Sequence, residues 1–390
     1  MLTRYKFLLT VTRNNYFLRQ LSLESPNVFA KPESRCRTVE DNPLNHNLEH
    51  EGRFYVVPPA VCNQLFRFGG IPKGYEVQAK TFDETCLMIR KPALEVINMM
   101  KVADYSRPIV KYVLFGERGA GKSLTLAHIL HYALNSGHLI IHVPWVPDWM
   151  KKCKDHTRSE TREGFRDTPL DSAAWLAHFK TQNQHLLSQT DLTVTSNYTW
   201  SKREETRSGS PLVELVDLGI NRIKYASNII VALASEVKAL SSSGRCKTLV
   251  AIDGFNCFYN KRTMIKDENW KIVPPFQLTV TEAFINLVNY NWTNGSVVLT
   301  ADRLVWSGNE RGESDLPLYQ LGKEAFELLD PFIPVHVPCY SEKEFHSCMD
   351  YYMERSWIQN ENGNTEEGRS ELMYLSTMNP YQLMKICGPL

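Results

Sequence analysis

No apolar run in this sequence approaches the length of a membrane-spanning helix. The longest, such as Ile229 to Ala234, reach about six or seven residues against the roughly 20 a bilayer requires, so no membrane insertion is expected. Cys-x-x-Cys is also missing. The nine cysteines are scattered from Cys36 to Cys387. An odd number at irregular spacing argues against a disulfide framework or a zinc ribbon and fits a reducing compartment. Neither sign of charge is in excess: 44 Lys and Arg stand against 43 Asp and Glu, for a net charge of +1. That gives no global drive toward nucleic acid or membrane and confines any such contact to local patches. Acids are absent before Glu24, whereas Arg4, Lys6, Arg13 and Arg19 stand among Leu2, Phe7, Leu8, Leu9, Phe17, Leu18 and Leu21. This Arg-containing, acid-poor profile is that of a mitochondrial transit peptide, without the continuous apolar core of a secretory signal. Residues 24–52, with several Pro and Asn, read as linker, so 1–52 stands apart from the domain that follows.

What is present is organised around Ile109 to Asn135. Ile109 to Phe115 is an apolar and aromatic run broken only by Lys111, the pattern of a buried strand. Gly116-Glu117-Arg118-Gly119-Ala120-Gly121-Lys122-Ser123 then fits G-x-x-x-x-G-K-[ST], and a helical pattern begins at once, with Leu124 in its first turn. Gly116, Gly119 and Gly121 permit backbone angles that turn successive N–H groups inward around phosphate oxygens. The new helix adds its positive end. Lys122 is expected to reach the β- and γ-phosphates and the Ser123 hydroxyl to ligate Mg²⁺. The expected nucleotide-binding set is therefore Gly116 to Leu124.

Leu126, Ile129, Leu130, Ala133 and Leu134 predict a helix buried over much of its circumference and stopped at Gly137. Leu139 to Val143 is a second strand, completing a β-α-β unit. His138 and His142 lie about 13 Å apart along such a strand, too far for a shared metal. Upstream, Phe54 to Pro59 is extended, Gly69 to Gly74 is a turn, and a helix starts near Pro92. Residues 144–210 read as an irregular, mildly basic insertion. There Trp145, Trp149, Trp175 and Trp200 are either local core or anchors for an RNA or protein partner.

Ser210-Pro211 opens one long apolar stripe, Leu212 to Leu240. Thr248 to Ile252 is the third strand and ends in Asp253, the expected second ligand sphere of Mg²⁺ in the Walker-B role. Gly254 follows, where AAA-type ATPases carry the glutamate that polarises the attacking water. Its absence removes the obvious general base and predicts slow or no hydrolysis. Thr279-x-x-Glu282 reads as a capping box, and Ser296 to Thr300 as the fourth strand. Thr300 stands where such folds place a γ-phosphate sensor, or is a plain strand end. A helix over 318–329 leads to the fifth strand, Phe332 to Val337. After it only helices follow, capped at Ser341, Thr365 and Asn379. The expected fold is α/β: a P-loop NTPase of AAA-like type with a five-stranded, mostly parallel sheet and helices on both faces. It would span 53–337, with a C-terminal helical lid over 338–390. The nucleotide would lie between two neighbouring strand tips, at the carboxyl ends of the strands.

Four stretches stand out: Lys80 to Glu95, Leu114 to Glu117 with the loop after it, Leu249 to Gly254, and Leu321 to Glu324 with Leu329 to Pro334, the first and last far more specific than a phosphate loop. On these the chain resembles the death-associated protein 3 family, GTP-binding proteins of the mitochondrial small ribosomal subunit. The resemblance runs from about residue 53 to the end. It implies a matrix protein in the head of the small subunit, among small-subunit proteins and rRNA and near large-subunit proteins across the intersubunit contacts. It also implies bound GTP or GDP with Mg²⁺ on Gly116 to Ser123 and Asp253, and a link to apoptosis. Arg118, Ala120 and Ser123 depart from the residues usual at those loop positions but are chemically compatible. Guanine rather than adenine rests on the resemblance alone, because no N-K-x-D motif is present. Two other classes compete. A free AAA-type ATPase remodelling partner proteins requires a Walker-B glutamate, which is missing, and an arginine finger, which is not evident. A small-molecule kinase requires an acceptor pocket that the sequence does not reveal.

Overall fold

The computed structural model describes residues 36–188, 191–260, 263–303 and 314–388. The expected transit-peptide segment lies outside them. Residues 36–52, read as linker, pack against the domain: His46 is buried and its Nδ1 lies 2.9 Å from Nε2 of His128.

Phe54–Val56 (β1) pairs antiparallel with Cys86–Met88 (β2). Between them run helices Pro59–Phe66 and Lys73–Phe82, the second rising directly from the Gly69–Gly74 turn. The helix Lys91–Val102 carries its Pro in the first turn, as expected. The central sheet is built from Val110–Phe115 (β3), Leu139–Val143 (β4), Thr248–Ile252 (β5), Gly295–Thr300 (β6) and Ile333–His336 (β7). Its order is β7-β3-β6-β5-β4, and every pairing is parallel. This is the expected α/β arrangement, a five-stranded parallel sheet with helices on both faces.

Alternation along the strands builds the two faces. Val250 and Ile252 join Val113, Ile141, Val297 and Leu299 in one core, under helices Pro169–Gln182, Ala226–Ser242 and Thr279–Leu287. Leu249 and Ala251 join Tyr112, Leu114, Ile140 and Val298 in the other, under Lys91–Val102 and Lys122–Asn135. Truncating any of these leucines or isoleucines to alanine should cost about 2–5 kcal/mol.

Several expectations are corrected. The strands bearing the loop and Asp253 are not neighbours, since β6 intervenes. The 144–210 region contains a 14-residue helix, Pro169–Gln182. Its buried face mixes Trp175, Leu176 and Phe179 with Ser172, His178 and Gln182, which blurs the apolar period. Trp175 is core and donates to His142 O at 2.8 Å; Trp145, Trp149 and Trp200 are half-buried. None of the four is an exposed anchor. The basic side chains of this region are largely paired, as in Arg158 with Glu268 at 3.1 Å and Lys152 with Asp148 at 2.8 Å.

The stripe from Leu212 is not one helix. It breaks at Arg222 into Leu212–Asn221, a 3₁₀ turn at Ile223–Tyr225, and Ala226–Ser242. The break brings both pieces onto Pro169–Gln182. The crossing is so close that a Cβ on Gly219 would sit 2.4 Å from Leu176 Cδ1. Gly322, at φ +79°, likewise splits 318–329 into Pro317–Leu321 and Lys323–Leu329. The Thr279 capping box does not form. Thr279 Oγ1 donates instead to buried Asp167 at 2.6 Å, and Glu282 pairs with Arg162.

The helical tail comprises Glu342–Glu354, Glu366–Ser376 and Pro380–Cys387, capped by Ser341, Thr365 and Asn379 as read. Phe345, Met349, Tyr351, Tyr352 and Leu383 share a core with Cys36, Phe54, Phe82 and Cys86. The tail is thereby packed on the β1–β2 ladder. Among the described residues no helix is long and apolar enough to cross a membrane.

Candidate functional site

The loop leaves β3 at Phe115 and returns to helical angles at Lys122. Its three motif glycines all have positive φ: +141° at Gly116, +85° at Gly119 and +100° at Gly121. At Gly116 close approach adds to angle, because a Cβ there would lie 2.4 Å from Val337 O. Lys122 is buried. Its ammonium donates to the carbonyls of Gly116 and Glu117, both at 3.0 Å, and faces Asp302 at 3.6 Å. The lysine is thus curled back over the loop, pre-set at its mouth.

Register brings the second half of the site alongside. Leu299 lies opposite Ile252, so Thr300 stands beside Asp253. Thr300 Oγ1 donates to Asp253 Oδ1 and accepts from Gly254 N at 2.8 Å. The Ser123 side chain stands close enough to the same carboxylate to favour its anion. Burial pushes the Asp253 carboxyl up to about 6, against the hydrogen bonds from Thr300 and Ser123 that favour its anion. The two residues expected to hold Mg²⁺ therefore meet. Thr300 orients Asp253 and is committed on both sides.

A cavity of about 850 Å³ adjoins the loop. Arg118, Gly119, Gly121, Lys122, Ser123, Leu124 and Asp253 line it. Gly116, Glu117 and Ala120 stand behind the wall: the first two supply carbonyls to Lys122, and the Ala120 methyl is buried in the core. The other walls come from Ile71, Pro72, Tyr75, Trp145, Tyr381 and Met384. Three positive-φ glycines, two of which admit no Cβ, a buried lysine, and a hydroxyl near a buried carboxylate are the donor chemistry that a Mg²⁺–nucleotide requires, and the residues fit it.

Gly254 has φ +75°, and a Cβ on it would meet Pro147 Cδ at 3.0 Å and Trp145 Cζ3 at 3.1 Å. The position that lacks a general base is thus also shaped against one. Three residues at the site carried no functional signal in the sequence. Arg90 lies within a family-like stretch but matches no motif. Asn379 reads only as a helix cap. Asp302 lies just beyond a strand end.

The family described as mitochondrial ribosomal death-associated protein 3 matches residues 87–386. Small ribosomal subunit protein mS29 of Mus musculus is 39% identical over 360 residues, covering 92% of this chain and 91% of the mouse protein. The Bos taurus protein of the same name is 40% identical over 352 residues, covering 90% and 87%. The Neurospora crassa one is 23% identical over 264 residues, covering 67% and 54%. Among solved structures, the Aeropyrum pernix ORC2 protein in its ADPNP–ADP complexes is 12% identical, with a TM-score of 0.32 over 76% of this chain and 65% of that one.

Proposed function

Since the chain belongs to the mitochondrial ribosomal death-associated protein 3 family, we propose that it is a component of the mitochondrial small ribosomal subunit that holds a guanine nucleotide with Mg²⁺. The observation that carries the ribosomal part is its alignment with small-subunit proteins over nine-tenths of this chain and a similar share of theirs. Its partners are small-subunit proteins and rRNA, in the head of the subunit near the contacts with the large one. Its compartment is the mitochondrial matrix. The link to apoptosis implied by the family resemblance is a further proposal, to be tested separately.

The nucleotide part rests on the convergence of Lys122, Ser123 and Asp253 at the cavity wall. The loop amides and the start of Lys122–Asn135 surround the phosphates, and Lys122 swings from its carbonyl partners to a phosphate oxygen. Ser123 and Asp253 would hold Mg²⁺, whose charge would neutralise that of the phosphates. No carboxylate stands at 254 to activate water, and the φ and packing of Gly254 disfavour one. The nucleotide is therefore retained more than it is turned over, against the reading as a free remodelling ATPase.

Sedimentation of mitochondrial lysate should find the chain with the small subunit. Its confinement to free fractions would refute the ribosomal assignment. Mg·GTP should raise the melting temperature of the purified chain, because a ligand bound only by the folded state stabilises it. No shift at saturating Mg·GTP would remove the nucleotide.

A further inference from the structure

Resting on that nucleotide reading, we infer that Arg90 and Asn379 are positioning residues which pre-set the phosphate loop, so that nucleotide affinity depends on two side chains outside the motif. Three consecutive loop carbonyls are held by groups from elsewhere in the chain. Asn379 Nδ2 donates to Arg118 O at 2.9 Å. The Tyr381 N–H donates to Gly119 O at 3.2 Å. Arg90 Nη1 donates to Ala120 O at 2.6 Å.

A trans peptide points its N–H opposite its C=O. Holding the Arg118 and Ala120 carbonyls therefore fixes the direction of the N–H groups of Gly119 and Gly121, and both glycines line the cavity, as Arg90 and Tyr381 do. The Ala120 N–H makes a long 3.3 Å turn bond to Glu117 O. The two side-chain anchors thus control the two glycine amides.

The anchors are themselves fixed. Arg90 is buried and spreads its other donors over Glu344 at 2.9 and 3.1 Å, Pro338 O at 2.9 Å and Cys339 O at 3.2 Å. This planar fork reaches three directions at once, which a lysine cannot do. Asn379 is buried, and its Oδ1 accepts from the N–H groups of Tyr381 and Gln382 at 3.1 and 3.3 Å. One side chain caps the last helix with its oxygen and anchors the loop with its nitrogen. The fit leaves no slack: a Cβ on Gly119 would lie 2.6 Å from Asn379 Oδ1. Amides fixed before the ligand arrives spare it the cost of ordering them.

The experiment uses the full chain with Asn379→Ser, Arg90→Lys and Lys122→Ala. Serine keeps the cap but is too short to reach Arg118 O. Calorimetry with Mg·GDP should show N379S and R90K each weakened about tenfold, as for loss of one buried hydrogen bond or more. Ligand-free N379S should melt within about 2 °C of wild type, because its cap survives. Amide hydrogen exchange at Gly119 and Gly121 should be faster in ligand-free N379S and R90K, a readout that needs no nucleotide. Wild-type affinity and wild-type exchange in both variants would overturn the inference. So would an affinity loss in N379S that merely tracks a lowered ligand-free melting temperature. Wild-type affinity in K122A would instead refute the nucleotide site, with the exchange result then deciding the anchoring alone.

Discussion

The phosphate loop and the helical tail line one cavity but are held by different physics. The loop owes its shape to backbone angles that only glycine adopts readily and to carbonyls bound one by one. The tail is held by a broad aromatic core, in which Phe345, Tyr351, Tyr352 and Leu383 pack on Phe54 and Phe82. Point-by-point fixation is specific and fragile, whereas area burial is diffuse and forgiving. Changes in the loop should therefore act on binding out of proportion to stability, and changes in the tail the reverse, except where a tail atom reaches the loop.

The largest expected break is Lys122→Ala. It removes the cation facing the phosphates and should weaken Mg·GTP at least about a hundredfold by calorimetry. Next is Gly119→Ala, which demands φ +85° of an alanine and drives its methyl into Asn379 and Tyr381. It should lower stability by roughly 1–3 kcal/mol in denaturant unfolding and also impair binding, which would show that loop and tail meet there. Gly254→Glu supplies the missing carboxylate but strains the backbone and crowds Trp145. We expect a loss of about 1–3 kcal/mol and no gain in turnover; brisk hydrolysis would show that only the base was lacking. Ser341→Ala is the smallest. It removes the 3.2 Å bond to Glu344 N and should cost about 1 kcal/mol by thermal melting. Nucleotide affinity should fall far less than in Asn379→Ser, because Ser341 reaches the loop only indirectly, through Glu344 and Arg90.

The same contrast explains what could be read in the sequence. Strands β3 to β7 are short apolar runs set by alternation, and all five are visible in the residues. So is the loop, because its chemistry is contiguous. Asp253 is legible because a strand end must carry it, and Thr300 is legible as a sensor position or a strand end; that Thr300 bonds Asp253 is decided by strand order, which sets β6 between the two halves of the site. Pro169–Gln182 was hidden because its buried face carries His178 and Gln182, which bond His142 and the carbonyl of Leu65. Arg90 and Asn379 were hidden for a different reason. Their partners are main-chain carbonyls 30 and 261 residues away, and a carbonyl leaves no trace in residue identity. The Thr279 box shows the converse: a correct local signal lost to a long-range partner, Asp167.

On the function proposed above, this chain carries a nucleotide in its phosphate loop while seated in the mitochondrial small subunit. The most direct test is to purify small subunits from cells expressing either the wild-type chain or Lys122→Ala and to identify by mass spectrometry the nucleotide released on denaturation. The account predicts about one guanine nucleotide per wild-type subunit, as expected for one phosphate loop, and a loss of that nucleotide in the variant. Equal guanine nucleotide from both, or none from the wild type, would contradict it.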